Sequence, residues 1–239
     1  MVINKEIDIK AILLYPPNLL IPSFAKKAVL PSGIAYLASV LRENNVHVDA
    51  VDCVIQGIEE NFSFNGTNYY GLNLAEIKQR ILKGGYNIVG VSCQFTALLE
   101  ISIEICRIAK ECGDPYVIVG GPHASARPES LLSSKVVDYV CVGEGEKVIK
   151  EFVDCLKTGN IAGIKNIDGI AYSENGNIHL PEKISFIEDL DTIPFPARDM
   201  FPIEKYFSKS SPMGGVFKSN KNLTILSSRG CPARCNFCA

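Results

Sequence analysis

Histidine is scarce in this sequence: its 239 residues hold only His47, His123 and His179. Lysine and arginine never form a run, and the net charge is −2, so no nucleic-acid partner is indicated. No apolar stretch nears the length needed to cross a bilayer, so no membrane partner is expected. The N-terminal stretch "MVINKEIDIKAILLYPP" meets two prolines after a short apolar run, which is not a signal peptide. With nothing to mark the chain as secreted and an odd number of cysteines, nine, a disulfide framework has no support. The expected setting is cytoplasmic and reducing, where clustered cysteines more often bind metal than each other.

Apolar runs of the strand type alternate with helical patterns. The runs are Ile9 to Tyr15, Val46 to Asp52, Asn87 to Ser92, Tyr116 to Gly121 and Val137 to Gly143. Several are almost continuously apolar, as strands covered on both faces are. Between them Ile34, Leu37, Ala38 and Leu41 keep helical spacing, as do Leu98, Ile101, Ile105 and Ile108, and later Ile149, Phe152, Val153 and Leu156. Asn73 and Glu76 read as an N-cap with its partner three residues on, and Gly84-Gly85 closes that helix. The alternation predicts an α/β fold, a doubly wound five-stranded parallel sheet in the order 2-1-3-4-5. Cys53, Cys106, Cys112, Cys141 and Cys155 fall within or beside these elements and read as small buried hydrophobes.

Three segments follow from this reading: a sheet domain over residues 8–158, a hairpin and Pro-rich connector over 159–222, and the start of a further domain over 223–239. The hairpin is expected to turn at Asn175-Gly176. The connector holds "DLDTIPFPARDMFPIEKYF", with three prolines and little periodicity.

An open parallel sheet binds its ligands beyond the carboxyl ends of its strands. The familiar signatures are missing there. The first loop has no G-x-G-x-x-G fingerprint for a dinucleotide, and no P-loop lysine or evident nest of amides awaits a phosphate. Pro16-Pro17 and Ser92-Cys93 stand where a phosphoacceptor receiver would need carboxylates. What these ends do hold is glycine: Gly120, Gly121, Gly143 and Gly145 let a backbone approach a large flat ligand closely.

The last residues, "SSRGCPARCNFCA", place Cys231, Cys235 and Cys238 in a C-x3-C-x2-C pattern. Structural zinc wants four ligands, usually with a second cysteine or histidine pair, and no such pair is present. Three thiolates would leave one iron of a four-iron cluster open to another ligand, which marks a catalytic site rather than a structural one.

"CPARCNFC", with Phe237 before its last cysteine, resembles the cluster loop of radical S-adenosylmethionine enzymes, and "NLTILSSRG" resembles the first strand of that family's barrel. The resemblance implies that Cys231, Cys235 and Cys238 hold a [4Fe–4S] cluster whose open iron binds S-adenosyl-L-methionine. An electron, from a reductant such as ferredoxin or flavodoxin, then yields a 5′-deoxyadenosyl radical that attacks a small-molecule substrate. "PSGIAYLASVL" together with the glycines resembles the cobalamin-binding domain fused ahead of many such enzymes, over about residues 8–158, and "LDTIPFPARD" is typical of that fusion.

By that resemblance, Ser92, Cys93, Gln94, Phe95 and Thr96, with Gly120, Gly121, Pro122 and His123, accommodate the nucleotide tail of cobalamin. Pro17, Asn18, Ser32 and Gly33 of the first loop and Gly143, Glu144, Gly145 and Glu146 of the fifth flank the corrin. One departure matters. Related cobalamin domains carry D-x-H-x-x-G after strand one, whose histidine ligates cobalt, and residues 16–33 contain no histidine. The string from Asp52 to Gly57 follows strand two and has Val54 in the histidine's place. His123 therefore reads as a polar contact or helix-start residue.

The implied activity is methyl transfer to an unactivated carbon, or another radical transformation. A non-catalytic cobalamin carrier, or a sheet that no longer binds the corrin, are the alternatives. A (β/α) barrel takes on the order of 200 residues or more, and only its first strand is expected before Ala239. That points to a shortened chain, an interrupted gene or a subunit whose barrel a second chain completes. No acid–base residue can be assigned.

Overall fold

The computed structural model describes residues 8–209, 219, 221–231, 233, 235 and 236. Its centre is a sheet of seven strands in the order β10-β9-β8-β7-β6-β1-β3. Five of them are parallel: β1 (Lys10–Tyr15), β3 (His47–Asp52), β6 (Ile88–Ser92), β7 (Tyr116–Gly120) and β8 (Tyr139–Cys141). In chain order these run 2-1-3-4-5, as the alternation of strand and helix predicts. The hairpin of β9 (Ile170–Glu174) and β10 (Asn177–His179) turns at Asn175-Gly176, both at positive φ. It adds itself antiparallel to β8, so residues placed in the connector by sequence lengthen the sheet.

A small antiparallel sheet sits after β1. It joins β2 (Asn18–Leu19) to β5 (Thr67–Tyr70) and β5 to β4 (Asn61–Phe64). Sequence reading did not foresee it, although Asn65-Gly66 offers the same positive-φ turn as the later hairpin.

Side chains on alternate strand positions build two apolar layers. Ala11 and Leu13 of β1 and Ile118 of β7 face the layer covered by α1 (Ser32–Glu43) and α7 (Gly145–Thr158). Ile12, Leu14, Val89, Val91, Val117 and Val119 face α3 (Leu74–Gly84) and α4 (Leu99–Glu111). Phe152 of α7 is fully buried, edge-on to Tyr139 at 5.4 Å and to Tyr116 at 5.8 Å. Burial of one such ring is worth about 3 kcal/mol. The α3 cap forms as expected: Asn73 Oδ1 accepts from the Glu76 amide, Glu76 accepts from the Asn73 amide, and Gly85 closes the helix in the left-handed conformation. Cys53, Cys106 and Cys141 are buried, and Cys112 and Cys155 are half-buried.

The connector docks on α1. Ala197 donates its amide to the Ala35 carbonyl at 2.9 Å, and Arg42 grips Asp199 with two bonds of 2.7 and 3.0 Å. Helix α8 (Ile203–Lys209) then packs Tyr206 into the α1–α7 layer. Residues 221–231, expected to include a strand, take no strand conformation. Ile225 and Leu226 are exposed. No helix among the described residues is long and apolar enough to cross a membrane.

Candidate functional site

The pleat of the central sheet makes a hole at its carboxyl end. On the α1–α7 side, β1 contributes Leu13, but β6 contributes Gly90 and Ser92, and β7 contributes Ile118 and then Gly120. Gly90 lies beside Ile118 and Ser92 beside Gly120 in the ladder. The small Ser92 and Gly120 thus sit side by side, while Gly90 lies between Leu13 and Ile118. Helices α1 and α7 complete the walls with Gly33, Ile34, Leu37, Gly145, Val148 and Ile149. The result is a mainly apolar cavity of about 190 Å³, with Ser92, Gln94 and Glu146 as its polar side chains.

The glycines differ in why they are glycine. A Cβ on Gly33 would meet nothing within 4 Å, and one on Gly120 would make only an ordinary 3.6 Å contact with Cys141 Cβ. Neither is required by the protein's own packing; Gly33 is exposed at the start of α1, and Gly120 leaves room in the cavity wall. Gly121 is another matter. Its φ of 108° and ψ of 175° belong to glycine almost alone, and a Cβ there would lie 2.8 Å from the Cys93 carbonyl oxygen. The crossing of the strand-three loop thus fixes Gly121 as glycine, whatever lies in the cavity beside it.

Of the residues assigned to the tail, the cavity gathers Ser92, Gln94, Gly120, Gly121 and Pro122; of those assigned to the corrin, Gly33, Gly143, Gly145 and Glu146. The others stand elsewhere. Cys93 is fully buried in the opposite layer. Pro17 is buried, and Asn18 donates from Nδ2 to the Tyr70 hydroxyl at 3.2 Å within the small sheet. Ser32 opens α1 outside the cavity wall. Phe95 is exposed at the strand end. Glu144 faces Arg229 instead of the cavity.

Thr96 and His123 pair with each other. His123 Nδ1 is 3.0 Å from Thr96 Oγ1 and Nε2 is 3.1 Å from Ser130 Oγ. The Ser130 hydroxyl already donates to the Arg127 carbonyl, so it accepts from Nε2–H and the Thr96 hydroxyl donates to Nδ1. Burial, then the nearby Arg127 charge, pushes the imidazole below its usual range. It is a neutral ring with both nitrogens engaged, in keeping with its reading as a polar contact.

Gln94 is held from the side. The Tyr15 hydroxyl donates to its Oε1 at 3.1 Å, and burial, then Asp52, pushes the Tyr15 phenol up to about 12. The lining residues that sequence reasoning missed are Leu13, Ile34, Leu37, Gly90, Val91, Ile118, Cys141, Val148 and Ile149. Gly90 alone left a signal, as a lone glycine inside a strand pattern, which marks close approach.

Cys231 and Cys235 are exposed, and Cys238 lies outside the described residues. Among the described residues no group of three or more His, Cys, Asp or Glu side chains is placed to hold a metal ion. A further hollow of about 270 Å³ lies between α2 (Cys53–Gln56) and α8, with the Lys209–Glu59 ion pair, 2.5 Å, among its lining residues.

A cavity of this kind, between the carboxyl end of a parallel sheet and two helices, is where an α/β domain takes a flat ligand. The B12 binding domain family matches residues 25–153, and the chain belongs to that family. It is 32% identical to an uncharacterized methyltransferase of Pyrococcus horikoshii over 96% of its own length and 45% of that protein. It is 25% identical to the cytidylyl-2-hydroxyethylphosphonate methyltransferase of Streptomyces wedmorensis, over 96% of this chain and 47% of that one. The chain thus spans about half the length of these curated relatives. In fold it is similar to OxsB, a cobalamin-dependent S-adenosylmethionine radical enzyme solved with aqua-cobalamin and S-adenosylmethionine bound. The TM-score is 0.65 at 19% identity, over 84% of this chain and 25% of OxsB. The resemblance read from the sequence, to radical S-adenosylmethionine enzymes with a cobalamin-binding domain, is borne out.

Proposed function

We propose that this chain binds cobalamin and belongs to an enzyme that uses it with a [4Fe–4S] cluster and S-adenosyl-L-methionine to methylate an unactivated carbon of a small molecule. When bound, cobalamin supplies a transferable methyl group, while the cluster and S-adenosyl-L-methionine supply the means of removing a hydrogen atom.

The observation that carries the reading is the space left at Gly120, in the wall of the 190 Å³ cavity between the sheet and helices α1 and α7. A protein with no ligand to admit would fill that layer as densely as its other one. Leu13, Ile118, Leu37 and Ile149 offer apolar faces to a flat base. Ser92 and Gln94 offer hydrogen-bonding groups at the cavity's upper end, and the Tyr15 bond fixes which way the Gln94 amide points. Cys231, Cys235 and Cys238 are the proposed cluster ligands, with a reductant such as ferredoxin or flavodoxin as electron source. Their thiolates come from one short loop, which leaves an iron position open to substrate. The setting is cytoplasmic.

Titration with hydroxocobalamin, followed by visible absorbance, tests the first half. Gly120→Val suits a strand and should fold, yet its side chain fills the cavity, so affinity should fall about tenfold or more. Unchanged affinity in a folded variant would sink the cavity as the tail site. For the second half, anaerobic reconstitution should give iron that is lost in air, because Cys231 and Cys235 are exposed. Cys235→Ala should lower iron uptake and leave cobalamin binding intact. Equal iron uptake by that variant would remove the loop from the cluster.

A further inference from the structure

Arg229 stands two positions before Cys231 and reaches back to the sheet domain. Its guanidinium donates from Nη1 to Glu144 Oε1 at 3.1 Å and from Nη2 to Glu146 Oε1 at 2.5 Å. The group also lies over the Tyr36 ring of α1, 5.3 Å from its centroid. None of these partners is loosely held. Glu144 accepts the Ile187 amide on its other oxygen at 2.5 Å, and the side chain of Glu146 is only 9% exposed. The two carboxylates flank Gly145, and Gly145 and Glu146 are both walls of the cavity. A second arginine, Arg198, donates to the Thr224 carbonyl at 3.2 Å and steadies the same segment from the connector.

We propose that Arg229 is a positioning residue, an ionic clamp that sets the approach to Cys231 against the rim of the cavity and so fixes the two sites relative to each other. The identity of the occupants rests on the function proposed above; the clamp itself rests on the contacts. The chemistry favours arginine. A planar guanidinium can satisfy two separate carboxylates while stacking on an aromatic ring, which a lysine ammonium cannot do with one point charge. Glu146, so little exposed, would be left as a buried charge without its counterion if Arg229 moved away, and that is costly. An occupant of the cavity that presses on Gly145 and Glu146 would therefore be felt at residues 222–230, and the reverse holds by linkage.

Amide hydrogen exchange on the reduced chain, read over residues 222–230, tests this. Arg229→Gln should speed exchange there about tenfold, a change of about 1.4 kcal/mol in local opening, with the amides of the central strands β1 and β6 little altered. Arg229→Lys should fall between. Glu144→Gln with Glu146→Gln should reproduce the effect of Arg229→Gln, and the triple variant should add nothing, because all three side chains act as one unit. Exchange in this segment equal to that of the wild type, in either Arg229→Gln or the glutamate pair, overturns the clamp, and so does simple additivity in the triple variant.

Repeating the measurement with hydroxocobalamin probes the coupling. The wild type should exchange more slowly over 222–230 when cobalamin is bound, and Arg229→Gln should lose that slowing while still binding, as absorbance reports. Binding by the wild type without any slowing overturns the coupling. Failure of the wild type to bind hydroxocobalamin would instead count against the proposed function, and the comparison made without ligand would still decide the clamp.

Discussion

The hydroxyl of Tyr206 donates to Asp52 Oδ2 at 2.6 Å, across 154 positions of chain. Asp52 ends β3, is fully buried, and caps α2 by accepting the amides of Val54 at 2.8 Å and Ile55 at 3.3 Å. Tyr206 belongs to α8, so this one bond ties the connector to the carboxyl edge of the sheet. The three hydrogen bonds favour the charged carboxylate, but burial opposes it more strongly and pushes Asp52 up to about 6. The same burial, with Asp52 close by, raises the Tyr206 phenol far above its usual range.

A pH dependence of stability follows. The unfolded chain releases the Asp52 proton near 3.8, while the folded chain keeps it until about 6. The folded state therefore binds more protons through that window, and the stability contributed by neutral Asp52 is full below it and lost as pH rises through 6. The loss should be on the order of 3 kcal/mol. Asp52→Asn keeps an acceptor for the Val54 amide but cannot ionise. Urea unfolding of both proteins at about pH 5 and pH 7.5 should show the wild type losing stability relative to the variant. A difference between them that stays constant with pH would mean that Asp52 is charged throughout.

Adjacent glycines in "VGG" should respond oppositely to alanine. At Gly121 a Cβ meets the Cys93 carbonyl oxygen, and the backbone angles suit glycine alone. Gly121→Ala should cost about 2 kcal/mol or more of stability. Gly120→Ala has an ordinary 3.6 Å contact and a strand conformation, and its unfolded chain loses freedom, so stability should change by about 1 kcal/mol or less, in either direction. Thermal unfolding of the two variants checks the order. Equal effects would mean that the Cys93 crossing yields as easily as the cavity does.

How much of this was legible in the sequence can be traced residue by residue. The five parallel strands, the helices at Ile34, Leu98 and Ile149, and the Asn73 cap follow from local periodicity and cap chemistry, and local rules govern them. The loops at strand ends were also readable as a site, because topology alone puts ligands there. Which residues of those loops face the site was not, since facing depends on the pleat: Cys93 and Ser92 are neighbours that point into opposite layers. Gly90 and Ile149 lie outside the strand-end loops, because the cavity runs down between strand and helix. The pairing of Arg229 with Glu144 and Glu146 spans more than eighty positions and obeys no period. Sequence patterns carry no trace of such a contact.

The absence of a histidine in residues 16–33 makes a last prediction, and the structure sharpens it. His123 is the sole imidazole near the cavity's end of the sheet, since His47 opens β3 at the far edge and His179 stacks on Tyr172 in the hairpin. Its two nitrogens are taken by Thr96 and Ser130, and the ring is only 6% exposed. To ligate cobalt it would have to break one of these bonds and turn out of its packing, at a cost of the order of 1–3 kcal/mol for the group left unpaired. Cobalamin bound to this chain should therefore carry no protein nitrogen on its lower face, and axial ligation is a main lever on a metal centre. Electron paramagnetic resonance of the Co(II) form reads this directly. Incorporating isotopically labelled histidine should leave the spectrum unchanged, because no imidazole nitrogen couples to the cobalt, and His123→Ala should leave it unchanged as well. Nitrogen coupling that shifts with the label and disappears in His123→Ala would show that the ring swings out to the metal, and that the Thr96–His123–Ser130 chain of bonds is only its resting arrangement.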